Sequence, residues 1–205
     1  MNNTSRWELK KLMLLSLSSV LLLCAIIMCF FPQHHILYQA FNMKYIEGAS
    51  TGFILADYDM SDQYGNKVTW EKLSSQPLYL TTGFTRCGHS CPVTMSLYQR
   101  MFDRVEGNAT FALLTIDPDY DSEQVMNEYL SVFNPAFVGL IIKDKNQLGR
   151  AVDDLKQYIS RNEGSIDIAH ASNIYLLHPS VPGLIIYTKP SVNVMLKDLH
   201  TINMM

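Results

Sequence analysis

Two cysteines separated by three residues are the feature of this sequence best suited to chemistry. Cys87 and Cys91 lie in the run 82–92, which ends in Pro92. Because proline is favoured at the first position of a helix, the run predicts a helix start with both thiols on one face. The positive end of a helix lowers a thiol pKa, and the thiolate binds metals or attacks disulfides. The pair predicts metal binding or redox chemistry, with an inert structural disulfide as a third hypothesis.

A distant histidine is the candidate third ligand. His170 precedes a predicted strand, whereas the cysteine loop and the acidic loop 117–121 each follow one. Since functional loops of α/β sheets gather where strands end, a fold could place an imidazole beside the two thiolates. Two thiolates and one imidazole suit copper, whereas structural zinc sites usually have four protein ligands. We predict Cys87, Cys91 and His170 as metal ligands, with His89 as a weaker candidate.

Alternating hydrophobic patterns predict the elements that position these residues. Strand-like and helix-like segments alternate along the chain, which predicts an α/β sheet covered by helices on both faces. Asp121 opens a capping-box pattern, and Asn146 is the predicted cap of a later helix. Segments 53–57 and 67–70 flank a turn at 64–66 and predict either a hairpin or a strand followed by a short helix from Thr69. The other predicted strands are 78–84, 111–116, 137–142, 173–177 and 184–187, and the other predicted helices are 92–105, 121–133, 146–159 and 192–199.

An apolar segment near the N-terminus predicts a membrane anchor. Residues 12–31 are twenty uncharged, mostly apolar residues, enough to span a hydrocarbon core of about 30 Å. Arg6, Lys10 and Lys11 precede them, which favours a cytoplasmic N-terminus. A cleaved signal peptide is the alternative, although its apolar region would be shorter and would end at small residues. The predicted organisation is a cytoplasmic N-terminus at 1–11, a transmembrane helix at 12–31, a tether at 32–51 and one domain at 52–205.

Charge and cysteine content exclude some classes of protein for the predicted exported part, residues 33–205. The whole chain has a net charge of −3, and residues before Gln33 contribute +2, which leaves −5 for the remainder. An acidic domain is a poor candidate for nucleic-acid binding. Cys24 and Cys29 fall in the apolar segment, so the exported part has only Cys87 and Cys91 and must fold around an apolar core.

Four motifs resemble the Sco/SenC family and occur in the family's order. The resemblance runs from about Phe53 to the C-terminus. The four segments are Gly83–Pro92, which contains both cysteines, then Thr115–Asp121, Phe133–Leu140 and His170–Pro179.

The resemblance implies a thioredoxin-like domain that binds a copper ion through Cys87, Cys91 and His170. It further implies delivery of copper to the CuA site during cytochrome c oxidase assembly, with the oxidase subunit carrying that site and other periplasmic copper carriers as partners. The anchor and the lack of an Arg-rich, Ser-rich presequence favour a single-pass bacterial inner-membrane protein with its C-terminal domain in the periplasm. A protein of the mitochondrial intermembrane space is the alternative.

Two other classes of function use the same cysteines. In a thiol-disulfide oxidoreductase, Cys87 and Cys91 would be the redox-active pair that reduces cysteines of a metal-receiving partner, and His170 would be dispensable. In a non-catalytic interaction module they would form an inert disulfide. We interpret Asp117 and Asp121 as loop-forming and helix-capping residues, in preference to partner contacts.

Overall fold

The computed structural model describes Ser19 and residues 46–51, 55–161 and 166–204. The chain divides into two units, Met1–Tyr45 and Ile46–Met205. Apart from Ser19, the predicted membrane anchor at 12–31 lies outside the described residues, as do the predicted cytoplasmic segment and most of the tether. Within the described part, no helix combines the length and apolar character needed to cross a membrane.

A mixed sheet of eight strands forms the centre of the second unit. The strands are β1 (Ala49–Thr51), β2 (Met60–Asp62), β3 (Lys67–Val68), β4 (Leu78–Gly83), β5 (Thr110–Thr115), β6 (Val138–Ile141), β9 (Ile174–His178) and β10 (Val181–Tyr187). Their order in the sheet is β1-β10-β9-β4-β5-β6-β2-β3. The pairs β4–β5 and β5–β6 are parallel, and the other neighbours are antiparallel. This confirms the predicted α/β class with a central mixed sheet.

A separate two-stranded hairpin precedes β9. It consists of β7 (Ile159–Arg161) and β8 (Ile168–His170), which pair antiparallel. Its register places Ile159 opposite His170 and Arg161 opposite Ile168. The hairpin therefore presents His170 at the end of a strand that lies outside the central sheet.

Helices cover both faces of the sheet, as the alternation of side chains along β4 shows. Leu80 packs in the same buried cluster as Trp70, whereas Tyr79, the preceding residue, packs with Met95 and Met195. Successive strand residues point to opposite faces, so both faces are buried. The helices are α1 (Trp70–Leu73), α2 (Ser90–Val105), α3 (Glu123–Ser131), α4 (Lys145–Asp154) and α5 (Val192–Asn203).

The predicted first hairpin differs from the observed one. Residues 55–57 form no strand, and residues 52–54 lie outside the described part. The hairpin instead joins β2 to β3 through a turn in which Gly65 has a φ of +80°, a conformation that glycine adopts without strain. Pairing of β2 with β6 fixes this strand, and such long-range pairing leaves no local sequence signal.

Two predicted helix caps are off by one or two residues. Helix α3 is capped by Ser122, which accepts from the Val125 N–H, and not by Asp121. Helix α4 is capped by Asp144 and not by Asn146. In both cases a second short polar side chain lies one or two positions from the predicted cap, and the helical pattern alone does not choose between them.

Two other helix predictions need correction. Helix α4 ends at Asp154, and Ile159 belongs to β7. Helix α2 begins at Ser90, so Pro92 occupies its third position. There its missing N–H is still harmless, because the N–H groups of the first turn have no partner within the helix. Cys91 therefore lies in the first turn of α2, whereas Cys87 lies in the preceding loop.

Candidate metal centre

The structure brings Cys87, Cys91 and His170 together, as predicted. One ligand atom from each lies within 4.8 Å of the other two. Cys91 Sγ and His170 Nε2 are 3.7 Å apart. Cys91 is buried, while the other two residues are half-buried. Both thiols are free, so the hypothesis of an inert disulfide does not describe this structure.

Gly83, the last residue of β4, leaves space for the Cys91 sulfur because it has no side chain. A Cβ atom placed on Gly83 would lie 2.6 Å from Cys91 Sγ, closer than atoms of real side chains approach. The Cys91 sulfur also accepts a hydrogen bond from the backbone N–H of Phe84. Gly83 and Phe84 therefore fix the position of this thiol, which explains a glycine at the end of a buried strand.

Hydrogen bonds to its sulfur lower the pKa of the Cys87 thiol. Partial burial opposes its charge, but hydrogen bonds from the Ser90 hydroxyl and the N–H groups of Cys91 and His89 outweigh burial and lower its pKa to about 6. The sulfur lies 3.5 Å from Ser90 Oγ. Donors directed at a sulfur favour the thiolate over the thiol. Cys87 is therefore a thiolate at neutral pH.

Cys91 has the opposite character. Its burial raises its pKa to about 12, and the adjacent Cys87 adds to the effect. The Cys91 thiol donates a hydrogen bond to Cys87, which further favours a proton on Cys91 and a charge on Cys87. The two cysteines thus form an unequal pair, one thiolate and one thiol.

The orientation of His170 follows from its Nδ1 atom. Nδ1 lies 3.1 Å from the carbonyl oxygen of Ala171, which can only accept, so Nδ1 carries the proton. In the neutral ring the lone pair then belongs to Nε2, the atom that faces Cys91. The buried ring of Phe84 packs against the imidazole at 5.9 Å with the planes inclined by 72°.

Gln157, which no sequence pattern marked, holds the segment after His170. Its Nε2 donates to the carbonyl oxygen of Ala171 at 2.5 Å, and its Oε1 accepts from the Tyr175 hydroxyl at 2.8 Å. Gln157 is buried. The predicted helix through Ile159 concealed this role, since the residue lies in the connection between α4 and β7.

Asp121 holds the cysteine loop through hydrogen bonds to its carboxylate. Its fully buried carboxylate accepts from the Thr85 N–H at 3.1 Å and from the Thr115 hydroxyl at 2.6 Å. Burial raises its pKa, against these hydrogen bonds. The interpretation of Asp121 as a helix cap is therefore wrong, because its carboxylate is used to join the loop before Cys87 to the end of β5.

His89 does not join the ligand cluster. It is exposed, and it lines an open groove of about 270 Å³ together with Cys87, Asp167 and His170. Cys87 and His170 are therefore reachable from solvent on the side of this groove, whereas Cys91 is buried and does not line it.

Known proteins resemble the chain over the domain that carries this site. The model of the SCO1/SenC family matches residues 47–201. The chain is 30% identical over 131 residues to protein sco1 of Schizosaccharomyces pombe, covering 60% of this chain and 50% of that one. It spans about three fifths of the length of other curated relatives, such as an SCO2-like protein of Rickettsia felis, to which it is 28% identical over 129 residues, 59% of this chain and 62% of that protein.

Solved structures show the same fold. Arabidopsis thaliana ScoI with copper bound superposes with a TM-score of 0.66 at 20% identity, over 74% of this chain and 99% of that one. BsSco, described as a member of the Sco family of cytochrome c oxidase assembly proteins with a disulfide switch, superposes with a TM-score of 0.64 at 14% identity, over 79% and 99%. Since the family model covers most of the sequence, this chain belongs to the SCO1/SenC family.

Proposed function

We propose that the chain binds one copper ion through Cys87, Cys91 and His170 and delivers it to the CuA site of cytochrome c oxidase during assembly. The observation that carries the proposal is the convergence of these three ligand atoms within 4.8 Å from two segments far apart in sequence. Proteins of the same family have been solved with copper bound, and BsSco is described as belonging to a family of oxidase assembly proteins.

The donor set suits copper better than zinc. Thiolate sulfur is a soft ligand that favours Cu(I), and an imidazole nitrogen serves either oxidation state. The described residues place only three such ligands together, fewer than a structural zinc site uses. Cys87 supplies a thiolate at neutral pH, whereas Cys91 must release its proton on binding.

A carrier must also let its cargo leave. The groove beside Cys87 and His170 leaves these two ligands accessible, so a ligand of a receiving protein can approach them.

Residues 12–31 complete the proposal as a single membrane anchor, joined by a tether to a domain that would lie in a bacterial periplasm. Their length and lack of charge support this. We place the start of the domain at Ile46 instead of residue 52, because β1 pairs with β10 in the central sheet. We expect the expressed protein to be found in the membrane fraction. After extraction, its intact mass should include residues 12–31. A soluble product that begins between residues 25 and 35 would contradict the anchor.

Copper titration of the full chain in mild detergent tests the metal proposal. The reduced protein should bind one Cu(I) with high affinity at this site, and Cu(II) should give an EPR spectrum with nitrogen hyperfine coupling from His170. The Cys87→Ser, Cys91→Ser double variant is the baseline, because it retains Cys24 and Cys29. Equal copper content in the double variant and the wild type would refute the assignment.

The unequal thiols favour a second candidate, a thiol-disulfide oxidoreductase. The Cys87 thiolate would attack a partner disulfide, which forms a mixed disulfide and releases one partner thiolate. Cys91, after losing its proton, would attack Cys87 Sγ, which yields the Cys87–Cys91 disulfide and a reduced partner. The low pKa of Cys87 and the high pKa of Cys91 match these two roles.

His170→Ala separates the two candidates. A copper carrier loses its third ligand, so copper affinity should fall while the rate of thiol-disulfide exchange changes little. In cells, oxidase activity should fall and should recover, at least in part, when copper is raised. Normal oxidase assembly by His170→Ala at limiting copper, with loss of assembly in either cysteine variant, would select the oxidoreductase.

A further inference from the structure

One buried carboxylate connects the two segments that carry the ligands. Asp117, in the loop after β5, is 1% exposed. Its Oδ2 accepts from Arg86 Nη2 at 2.6 Å, and its Oδ1 accepts from Arg161 Nη2 at 2.7 Å. Each carboxylate oxygen is thus held by a different arginine, and charge-assisted bonds of this kind are among the stronger ones in proteins.

Each of the two arginines lies beside a segment that carries a predicted ligand. Arg86 directly precedes Cys87, and its guanidinium also lies 4.0 Å above the ring of Tyr120. Arg161 belongs to β7, the strand that pairs with the His170 strand. Asp117 therefore joins the cysteine loop to the histidine hairpin across 44 residues of sequence on the hairpin side.

Apolar packing and two polar contacts hold the hairpin. Ile168 of β8 is buried in the core cluster, and Ile159 of β7 packs against the same cluster. Among the described residues, β7 and β8 form a sheet of their own, without backbone pairing to the central sheet. The hydrogen bond of Gln157 to Ala171 holds the chain after His170. The Asp117–Arg161 pair holds the opposite strand, so the two contacts fix the hairpin from both ends.

We propose that Asp117 is a positioning residue which, through Arg86 and Arg161, sets the separation between the thiol pair and the His170 imidazole. This inference rests on the proposed copper function. Two thiolates suffice for Cu(I), whereas Cu(II) gains more from the imidazole nitrogen. Loss of the link should weaken Cu(II) binding and leave Cu(I) binding nearly unchanged.

Arg161→Gln is the main test variant, because the Arg161 side chain is 44% exposed and its loss should not prevent folding. Arg161→Lys preserves a cation for Asp117 and should restore binding. Lys143→Gln is the matched control, since it removes an exposed ion pair with Glu123 that touches none of the ligands. All variants are made in the full chain.

The first measurement needs no copper. Hydrogen exchange of the amides in 168–173 should be faster in Arg161→Gln than in the wild type, and unchanged in Lys143→Gln. The second is copper binding. Cu(II) affinity should fall about 10–100-fold, the range typical of groups that orient a metal ligand, and nitrogen hyperfine coupling in the EPR spectrum should weaken. Cu(I) affinity should change less than about threefold.

The outcomes separate this inference from the proposed function. A wild-type protein without nitrogen coupling, or with copper that persists after removal of both thiols, refutes the proposed function itself. A wild type that behaves as proposed, with Arg161→Gln identical to it in exchange and in Cu(II) affinity, refutes only the positioning role. Equal losses of Cu(I) and Cu(II) affinity, together with a lower melting temperature, also refute it, because they indicate general support of the fold.

Discussion

His170 Nε2 lies 3.7 Å from Cys91 Sγ, although 79 residues separate the two in sequence. Cys91 is held in the first turn of α2 against β4, and His170 ends a hairpin outside the central sheet. Because Nδ1 of His170 faces the Ala171 carbonyl, the lone pair of Nε2 is directed toward the sulfur. This relationship converts a thiol pair into a candidate three-ligand centre.

The unequal thiols predict unequal reactivity. The alkylation rate of Cys87 by iodoacetamide should reach half its maximum near pH 6, the pKa set by its hydrogen bonds against partial burial. Cys91, with its pKa raised to about 12 by burial, should remain unmodified through neutral pH. Mass spectrometry of peptides across a pH series measures both. Comparable labelling of both cysteines at pH 7 would contradict the assignment.

Ser90→Ala tests the source of the low Cys87 pKa. Removal of the hydroxyl removes one donor to the thiolate, so the pKa of Cys87 should rise and the alkylation profile should shift to higher pH. Ser96→Ala on the same helix is the control, because its hydroxyl donates to the Pro92 carbonyl. An unchanged profile in Ser90→Ala would assign the effect to the backbone N–H groups.

Gly83→Ala should damage the site although it adds only a methyl group. The new Cβ would meet Cys91 Sγ at 2.6 Å and displace it, with a loss of about 1–3 kcal/mol in the free energy of unfolding and weaker copper binding. Gly88→Ala is the control in the same motif, since nothing lies within 4 Å of its new Cβ. Equal behaviour of the two variants would show that the thiol is not confined by β4.

Gln157→Leu should disturb His170 without touching it. The change leaves the Ala171 carbonyl and the Tyr175 hydroxyl without their shared partner, at about 1–3 kcal/mol in the free energy of unfolding. Copper affinity should fall with it, as measured by competition with a chelator. Gln124→Leu, on the exposed face of α3, should change neither quantity. Wild-type copper affinity in Gln157→Leu would remove Gln157 from the support of the site.

Asp117 should make stability acid-sensitive. Burial opposes its charge, but hydrogen bonds from Arg161 and Arg86 outweigh burial and hold its pKa below the ordinary 3.8. A lowered folded-state pKa stabilises the protein above pH 3.8, and this stabilisation is lost as pH falls through the folded-state pKa. Asp117→Asn should therefore be less stable than the wild type at pH 7, with a gap that closes only below pH 3.8.

Urea unfolding followed by the fluorescence of buried Trp70 measures this gap at each pH. Asp121→Asn is the comparison, because burial raises the pKa of Asp121. A raised carboxyl pKa stabilises the folded protein at low pH and loses that effect as pH rises, so its pH trend should have the opposite sign. Parallel trends in the two variants would contradict the different environments assigned to the two carboxylates.

Local sequence determined the features that depend on short-range geometry. The apolar stripe of α2 and the compact run that became β4 each predicted their element, whereas the spacing of Cys87 and Cys91 placed both thiols on one helix and only Cys91 lies there. These patterns are readable because helix and strand periods place neighbouring residues on defined faces. The motifs around them also predicted the family.

Tertiary structure decided which polar side chains serve the site. Nothing local distinguishes Asp121, which holds Thr85, from a helix cap, or marks Asp117 as the partner of two arginines. Gln157 and the β7–β8 hairpin were likewise hidden, because their roles depend on contacts with residues distant in sequence. Such contacts form only when the chain has closed, and a buried polar group then takes whichever partner the fold brings within hydrogen-bond distance.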